Sequence, residues 1–264
     1  MNRADLSAAN QPIDWSKIHC AGIVGLPPRT VMARLVENRA LIHDLDAEIA
    51  IEQPQHSGAD LLPMVYCGIL RTVVDNAMLL AGELDAIFID IGPGKCDAAR
   101  YTAQLLARTL PLPIVTCHNL DREAAGYPIC RSGLPLLRKL ELITAGVKKP
   151  SPPAQPPPHQ PASAGFWGVP PRDFSLLELF PDTTHLYGWS RCLENKTPAD
   201  HDLEAIYRPD LPTVFFAQSF CAKTALARAL AAAHPNALYL DVDARGGQSA
   251  RAKIEAFLQL NGAI

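Results

Sequence analysis

Between residues 150 and 161 the chain reads PSPPAQPPPHQP, seven prolines in twelve positions. Proline fixes its own φ and lacks a backbone donor, so such a run enters neither a helix interior nor a central strand. It reads as an extended, polyproline-like linker, with a docking site for a proline-binding partner as the less economical alternative. The 264 residues are therefore expected to form an N-terminal lobe (1–149), a linker (150–163) and a C-terminal lobe (164–264).

Within each lobe, short apolar runs alternate with segments of helical composition. In the first, KIHCAGIVG (17–25) reads as a strand and residues 29–42 as a helix. EIAIE (48–52) reads as a short strand, 64–67 as a strand end and 69–81 as a helix. DAIFIDI (85–91) is the clearest strand; a Gly92-Pro93-Gly94 turn, a helix over 97–110, a strand over 112–117 and a helix over 135–145 follow. In the second lobe, the segment from Val214 to Phe257 reads strand, Cys221 loop, alanine-rich helix (224–233), strand (237–242) ending at Asp241 and Asp243, and a closing helix. Strand and helix in this order predict an α/β fold: two Rossmann-like lobes with parallel sheets flanked by helices and a cleft between them.

The two lobes also share wording. AGIVGLPPR from Ala21 and AGFWGVPPR from Ala164 fit one frame, A-G-x-x-G-x-P-P-R, and the stretch from Pro63 to Ile91 aligns loosely with Pro212 to Val242. A duplicated unit is implied.

Seven cysteines with no C-x-x-C pair make a poor disulfide framework, so their meaning lies in position. Cys67, Cys96 and Cys221 each follow an apolar run and stand at or near a helix start, where the helix dipole favours thiolate, the metal-binding form. A soft all-sulfur set suits iron–sulfur or zinc. Cys20, Cys117, Cys130 and Cys192 lack that setting, and His118 and His185 have no partner at metal-ligand spacing. AQSFCAKT (217–224) has the spacing of a phosphate-binding G-x-x-x-x-G-K-[ST] loop, with Lys223 and Thr224 in the phosphate and magnesium roles. Ala217 and Ala222, however, stand where that loop requires glycine.

With 19% charged residues and a formal net charge of −3, nucleic acid and anionic membrane are not expected as main partners. No apolar run approaches the roughly 20 residues of a spanning helix. The polar start, MNRADLSAANQPIDW, lacks the apolar stretch of a secretory signal, so a cytoplasmic protein is expected.

These residues together resemble the iron–sulfur subunits of the 2-hydroxyacyl-coenzyme A dehydratase and benzoyl-coenzyme A reductase family. The likeness runs through VYCGILRT (Cys67), then DAIFIDIGPGKCDAAR with its C-D-x-x-R element (Cys96, Asp97, Arg100), then LPLLRKLELITAG. In the second lobe it runs through Cys221, the acidic strand end at Asp241 and Asp243, Gly247-Gln248, and ARAKIEAFL with Arg251, Glu255 and Phe257. The resemblance implies a [4Fe–4S] cluster held by Cys67, Cys96 and Cys221, and low-potential electron transfer to a small substrate such as an acyl-coenzyme A thioester. The activity would be that of a dehydratase-like lyase or a reductase. It also implies an ATP-dependent activator as electron donor and a related second subunit. The chain departs from the family in being short and in carrying the proline run where helical sequence would stand. Two other readings stay open from the residues alone: a non-catalytic two-lobed small-molecule or metal-binding module, and a diverged phosphate-loop nucleotide binder.

Overall fold

The structure, a computed structural model, describes residues 13–47, 61–63, 65–122, 126–150, 155, 157–168, 174–242 and 247–264. The strands are β1 (Cys20–Val24), β2 (Leu41–Asp44), β3 (Ala86–Asp90), β4 (Ile114–Cys117), β5 (Ala164–Gly168), β6 (Thr184–Tyr187), β7 (Thr213–Gln218) and β8 (Ala237–Val242). The α-helices are α1 (Arg29–Glu37), α2 (Gly68–Leu80), α3 (Asp97–Thr109), α4 (Leu136–Val147), α5 (Trp189–Asn195), α6 (His201–Ala205), α7 (Thr224–Ala233) and α8 (Gly247–Leu260). Short 3-10 helices span Trp15–Lys17 and Phe174–Leu179. Among the described residues no helix is long and apolar enough to cross a membrane.

Two four-stranded, all-parallel sheets result, in the orders β2-β1-β3-β4 and β6-β5-β7-β8. This is the α/β architecture with two Rossmann-like lobes that the alternation predicts. Parallel strands covered on both faces must be apolar throughout, and β3 and β7 are buried at every position. The first core gathers Val73, Val74, Ala77, Ile87, Ile89 and Leu106; the second is built on Trp167, Tyr187 and Phe215.

Equal strand order pairs β3 with β7 and α3 with α7. The loose alignment of 63–91 with 212–242 therefore slips by one strand–helix unit. By topology, Cys221 matches Cys96, since both follow the third strand of their lobe, and it does not match Cys67.

Several elements differ from expectation. The helix predicted over 29–42 stops at Glu37: Arg39 takes a left-handed φ of 55°, the amide of Ala40 bonds Leu35 O at 2.9 Å, and Leu41 and Ile42 pair with β1 instead. Residues 65–67 are not a strand end. The Tyr66 amide closes a turn on Pro63 O at 3.1 Å, and all four places in the sheet are filled by other segments. The strand expected at 48–52 lies outside the described residues. After β5 the first helical element among the described residues is the 3-10 turn Phe174–Leu179, which buries Leu176 and Leu177 and runs into Pro181.

The chain divides into two compact units, residues 1–122 with 148–150, and 123–147 with 151–264. The helix expected in the first lobe, α4, thus belongs to the second. Its buried stripe Leu136, Leu140, Ile143 and Val147 packs on α5, β6 and the 3-10 helix. Lys139 lies on the same buried side, donating to the carbonyls of Asp182 (2.8 Å) and Thr184 (2.5 Å), and burial pulls its ammonium down to about 8. Glu194 accepts from the amides of Ile129 (2.7 Å) and Cys130 (2.9 Å), and Leu186 N bonds Cys130 O. The far end of the proline-rich run joins this unit too, through a bridge between Ser132 and His159.

Candidate functional site

In a parallel α/β sheet the helices run against the strands, so helix starts gather at the carboxyl edge, where such folds hold ligands. In the first unit Cys67 is the N-cap of α2 and Cys96 the N-cap of α3. Both helices begin on cysteine where Ser, Thr, Asp or Asn is usual. Cys96 is exposed and Cys67 half-buried.

The same edge carries a polar network that ties all four strands. Asp90, at the end of β3, accepts the amides of Gly92 and Asn119 on Oδ1, each at 3.0 Å, and its Oδ2 faces Lys95 Nζ at 3.4 Å. The Gly25 amide, past β1, donates to Asp46, whose own amide bonds Asp44 of β2 at 3.2 Å. Asn119 Oδ1 accepts from the amide of Asp121, and Asp121 accepts from the amide of Arg29, the first residue of α1, at 2.8 Å. Gly25 has a φ of +72°, and a side chain there would meet Lys95 Nζ at 2.8 Å. Burial pushes the Asp46 carboxyl above the usual range, with Asp90 adding to it, while the Gly25 amide and Lys95 oppose. The turn after β1, which in dinucleotide-binding folds receives a phosphate, thus has its amides already taken by carboxylates.

In the second unit the turn after β7 holds Cys221, half-buried, with its amide on Gln218 O at 3.0 Å and its carbonyl accepting from Thr224 N at 3.1 Å. Phe220, just before it, is 62% exposed at a φ of +64°, a conformation that costs an aromatic residue on the order of 1 kcal/mol. Lys223 donates to both oxygens of Glu204, at 2.5 and 2.6 Å, and the Glu204 side chain is 1% exposed. Ser219 Oγ donates to Asp241 Oδ1 at 2.8 Å. An open cleft of about 720 Å³ runs beside α7, lined by Cys221, Thr224, Arg228, Tyr239, Asp241 and the helix alanines.

This geometry bears on the phosphate-loop reading. Lys223, the residue in the phosphate role, is neutralised by a buried carboxylate. Thr224 Oγ1, in the magnesium role, donates to Gln218 O at 3.3 Å. The loop is satisfied from within the chain.

The other cysteines are of a different kind. Burial pushes the Cys117 thiol up to about 12, with Asp90 adding, and Cys192 up to about 11; Cys130 is raised well above the ordinary value by burial and by Glu194. They are inert thiols at neutral pH. Cys20 sits half-buried at the start of β1. His118 is exposed in a loop, and His185 is buried in β6 with Nε2 2.7 Å from Gln160 O, so neither has a ligand setting. Among the described residues of either unit, no three His, Cys, Asp or Glu side chains gather to hold a metal ion. Asp243 lies outside the described residues. Arg251 and Glu255 form an i,i+4 pair at 3.7 Å on α8, whose buried face is Ala250, Ile254 and Leu258.

Asp46, Asp90, Lys95 and Glu204 escape a motif search. Asp90 had a visible signal as the acid ending the clearest strand; Glu204 pairs 19 residues away and had none. Compared with protein-family models and with curated proteins, the chain matches none.

Proposed function

We propose that this protein is a two-lobed iron–sulfur protein that holds a [4Fe–4S] cluster through Cys67, Cys96 and Cys221 and supports low-potential electron transfer to a small substrate, an acyl thioester being the first candidate. The carrying observation is a division among the cysteines. These three stand at helix starts or in the turn after a central strand and remain wholly or partly exposed, whereas Cys130 and Cys192 are fully buried and Cys117, though partly exposed, lies at the end of β4; burial raises the thiols of all three of these above the ordinary value. The donor type is soft sulfur, which suits iron, with Cys67 and Cys96 at the N-caps of α2 and α3. When bound, such a cluster supplies one-electron transfer and an iron that accepts a substrate oxygen as a Lewis acid. The chain's part is to hold the thiolates: α2 and α3 fix Cys67 and Cys96, and the hydrogen-bonded turn 218–224 fixes Cys221. An ATP-hydrolysing activator and a second subunit belong to the same reading.

The test is anaerobic purification with iron and sulfide counted per chain and the visible spectrum recorded. About four irons per chain and a broad brown absorption are expected, with loss in Cys67→Ser, Cys96→Ser and Cys221→Ser but retention in Cys20→Ser. A colourless, iron-free protein purified without oxygen would sink the proposal. The cleft beside α7 favours a second reading, a small-molecule binding module, which that outcome would leave standing.

A further inference from the structure

The outer strands of a sheet carry backbone groups that need a partner or a guard, and the outer strands here are not alike. β2, β4 and β6 have four residues each, LIHD, IVTC and THLY. β8 has six, ALYLDV, in unbroken register with β7 and with no proline or lysine, the usual devices that keep an edge from pairing. Its one charged side chain, Asp241, is held by Ser219 Oγ at 2.8 Å. The amides of Thr213 and Ser219 bond the carbonyls of Asn236 and Val242, so the even-numbered residues of β8 turn their backbone toward β7. Ala237, Tyr239 and Asp241 therefore turn theirs outward, and among the described residues no backbone bond is made on that side. Their side chains share the α7 face. Tyr239 and Asp241 line the cleft of about 720 Å³, and the exposed alanines Ala225, Ala229 and Ala232 of α7 form its other wall.

We propose that β8 pairs antiparallel with β8 of a second copy of this chain, about a two-fold axis at Tyr239, joining two four-stranded sheets into one and filling the cleft. In an antiparallel pair, facing residues whose backbones turn toward each other exchange two bonds. An axis at Tyr239 sets that residue opposite its own copy and Ala237 opposite the partner's Asp241, which uses every outward residue. A register moved by two leaves Ala237 or Asp241 facing beyond the strand. Charge fits the same occupant: Arg228 and Asp241 are the charged residues lining the cleft, one of each sign, so two copies meet without excess charge and each Asp241 faces an alanine. The small side chains of α7 leave room for the partner's helix beside the axis. None of this depends on the cluster reading.

Sedimentation equilibrium across a concentration series, with amide hydrogen exchange followed by NMR, tests the pairing. Wild-type protein should reach twice the chain mass, and the Ala237, Tyr239 and Asp241 amides should become protected as the dimer forms. Ala237→Glu sets carboxylates opposite each other at both ends of the strand pair and should weaken the dimer about tenfold; Ala237→Lys sets unlike charges there and should strengthen it by a similar factor. Adding Asp241→Lys to Ala237→Glu should restore the dimer. Opposite effects of Glu and Lys at one position separate charge from lost folding, which melting temperature follows in parallel, and the wild-type exchange pattern decides the matter even where a variant fails to fold. A wild-type monomer at every concentration, a dimer whose three amides exchange freely, or equal weakening by Glu and Lys would each overturn the inference, and the first would leave the cleft to a small molecule.

Discussion

His185 is the group whose protonation the second unit resists most clearly. It lies in β6 opposite Gly165, is 5% exposed, and holds Gln160 O at 2.7 Å through Nε2. Burial brings its pKa from 6.5 down to about 4; the Gln160 carbonyl works the other way, and Lys139, His159 and Arg191 add to the depression. A base with a depressed folded-state pKa binds fewer protons folded than unfolded. Its neutral form costs nothing above about pH 6.5, and stability is lost as pH falls from there toward 4. At about 1.4 kcal/mol per pH unit, the span from 6.5 to about 4 is worth about 3 kcal/mol at most. The assay is urea unfolding at steps from pH 7.5 to 4.5, in a Trp15→Phe background so that Trp167 and Trp189 report on the second unit alone. His185→Gln keeps a donor for Gln160 O and cannot titrate. The difference in unfolding free energy between parent and variant should be flat above pH 6.5 and shift by 2 to 3 kcal/mol in the variant's favour by pH 4.5. Parallel curves across that range would refute the reasoning.

Two further expectations follow from backbone and thiol geometry. Gly168→Ala should destabilise the second unit by about 3 kcal/mol or more, seen in the same unfolding assay, because φ is +140° and the added Cβ would lie 2.0 Å from Phe216 O; a change under 1 kcal/mol would mean that β5 and β7 can part there. In apo protein at pH 8, iodoacetamide followed by peptide mass spectrometry should label Cys96 well before Cys130 and Cys192, which are fully buried and held as thiols; equal labelling would show that the segment 126–147 opens readily.

Much of the fold was legible because parallel strands must be apolar on both faces: β3, AIFID, and β7, TVFFAQ, announce themselves. β2 was hidden since LIHD carries two polar residues and follows α1 after three residues, so its leucine and isoleucine pass for the helix's last turn. The one-unit slip between the lobes has a general cause. Every strand–helix–strand unit obeys the same spacing, so pattern alone cannot say which unit matches which, and the sheet order settles it. Cys67 and Cys96 as helix starts were readable from the apolar periodicity after them. The carboxylates beneath Lys95 and Lys223 were not, because a partner such as Glu204 is chosen by tertiary packing and leaves no local mark.

The placement of α4 sets an order of events during synthesis. This helix leaves the ribosome before the proline run and well before β6 and α5, the elements that cover its apolar stripe and receive the Lys139 ammonium. Until Thr184–Tyr187 arrives, a hydrophobic helix with a lysine on its inner side waits unpartnered at the end of a finished first unit. A gene fragment starting at residue 151 therefore encodes a second unit lacking the helix on which its sheet closes.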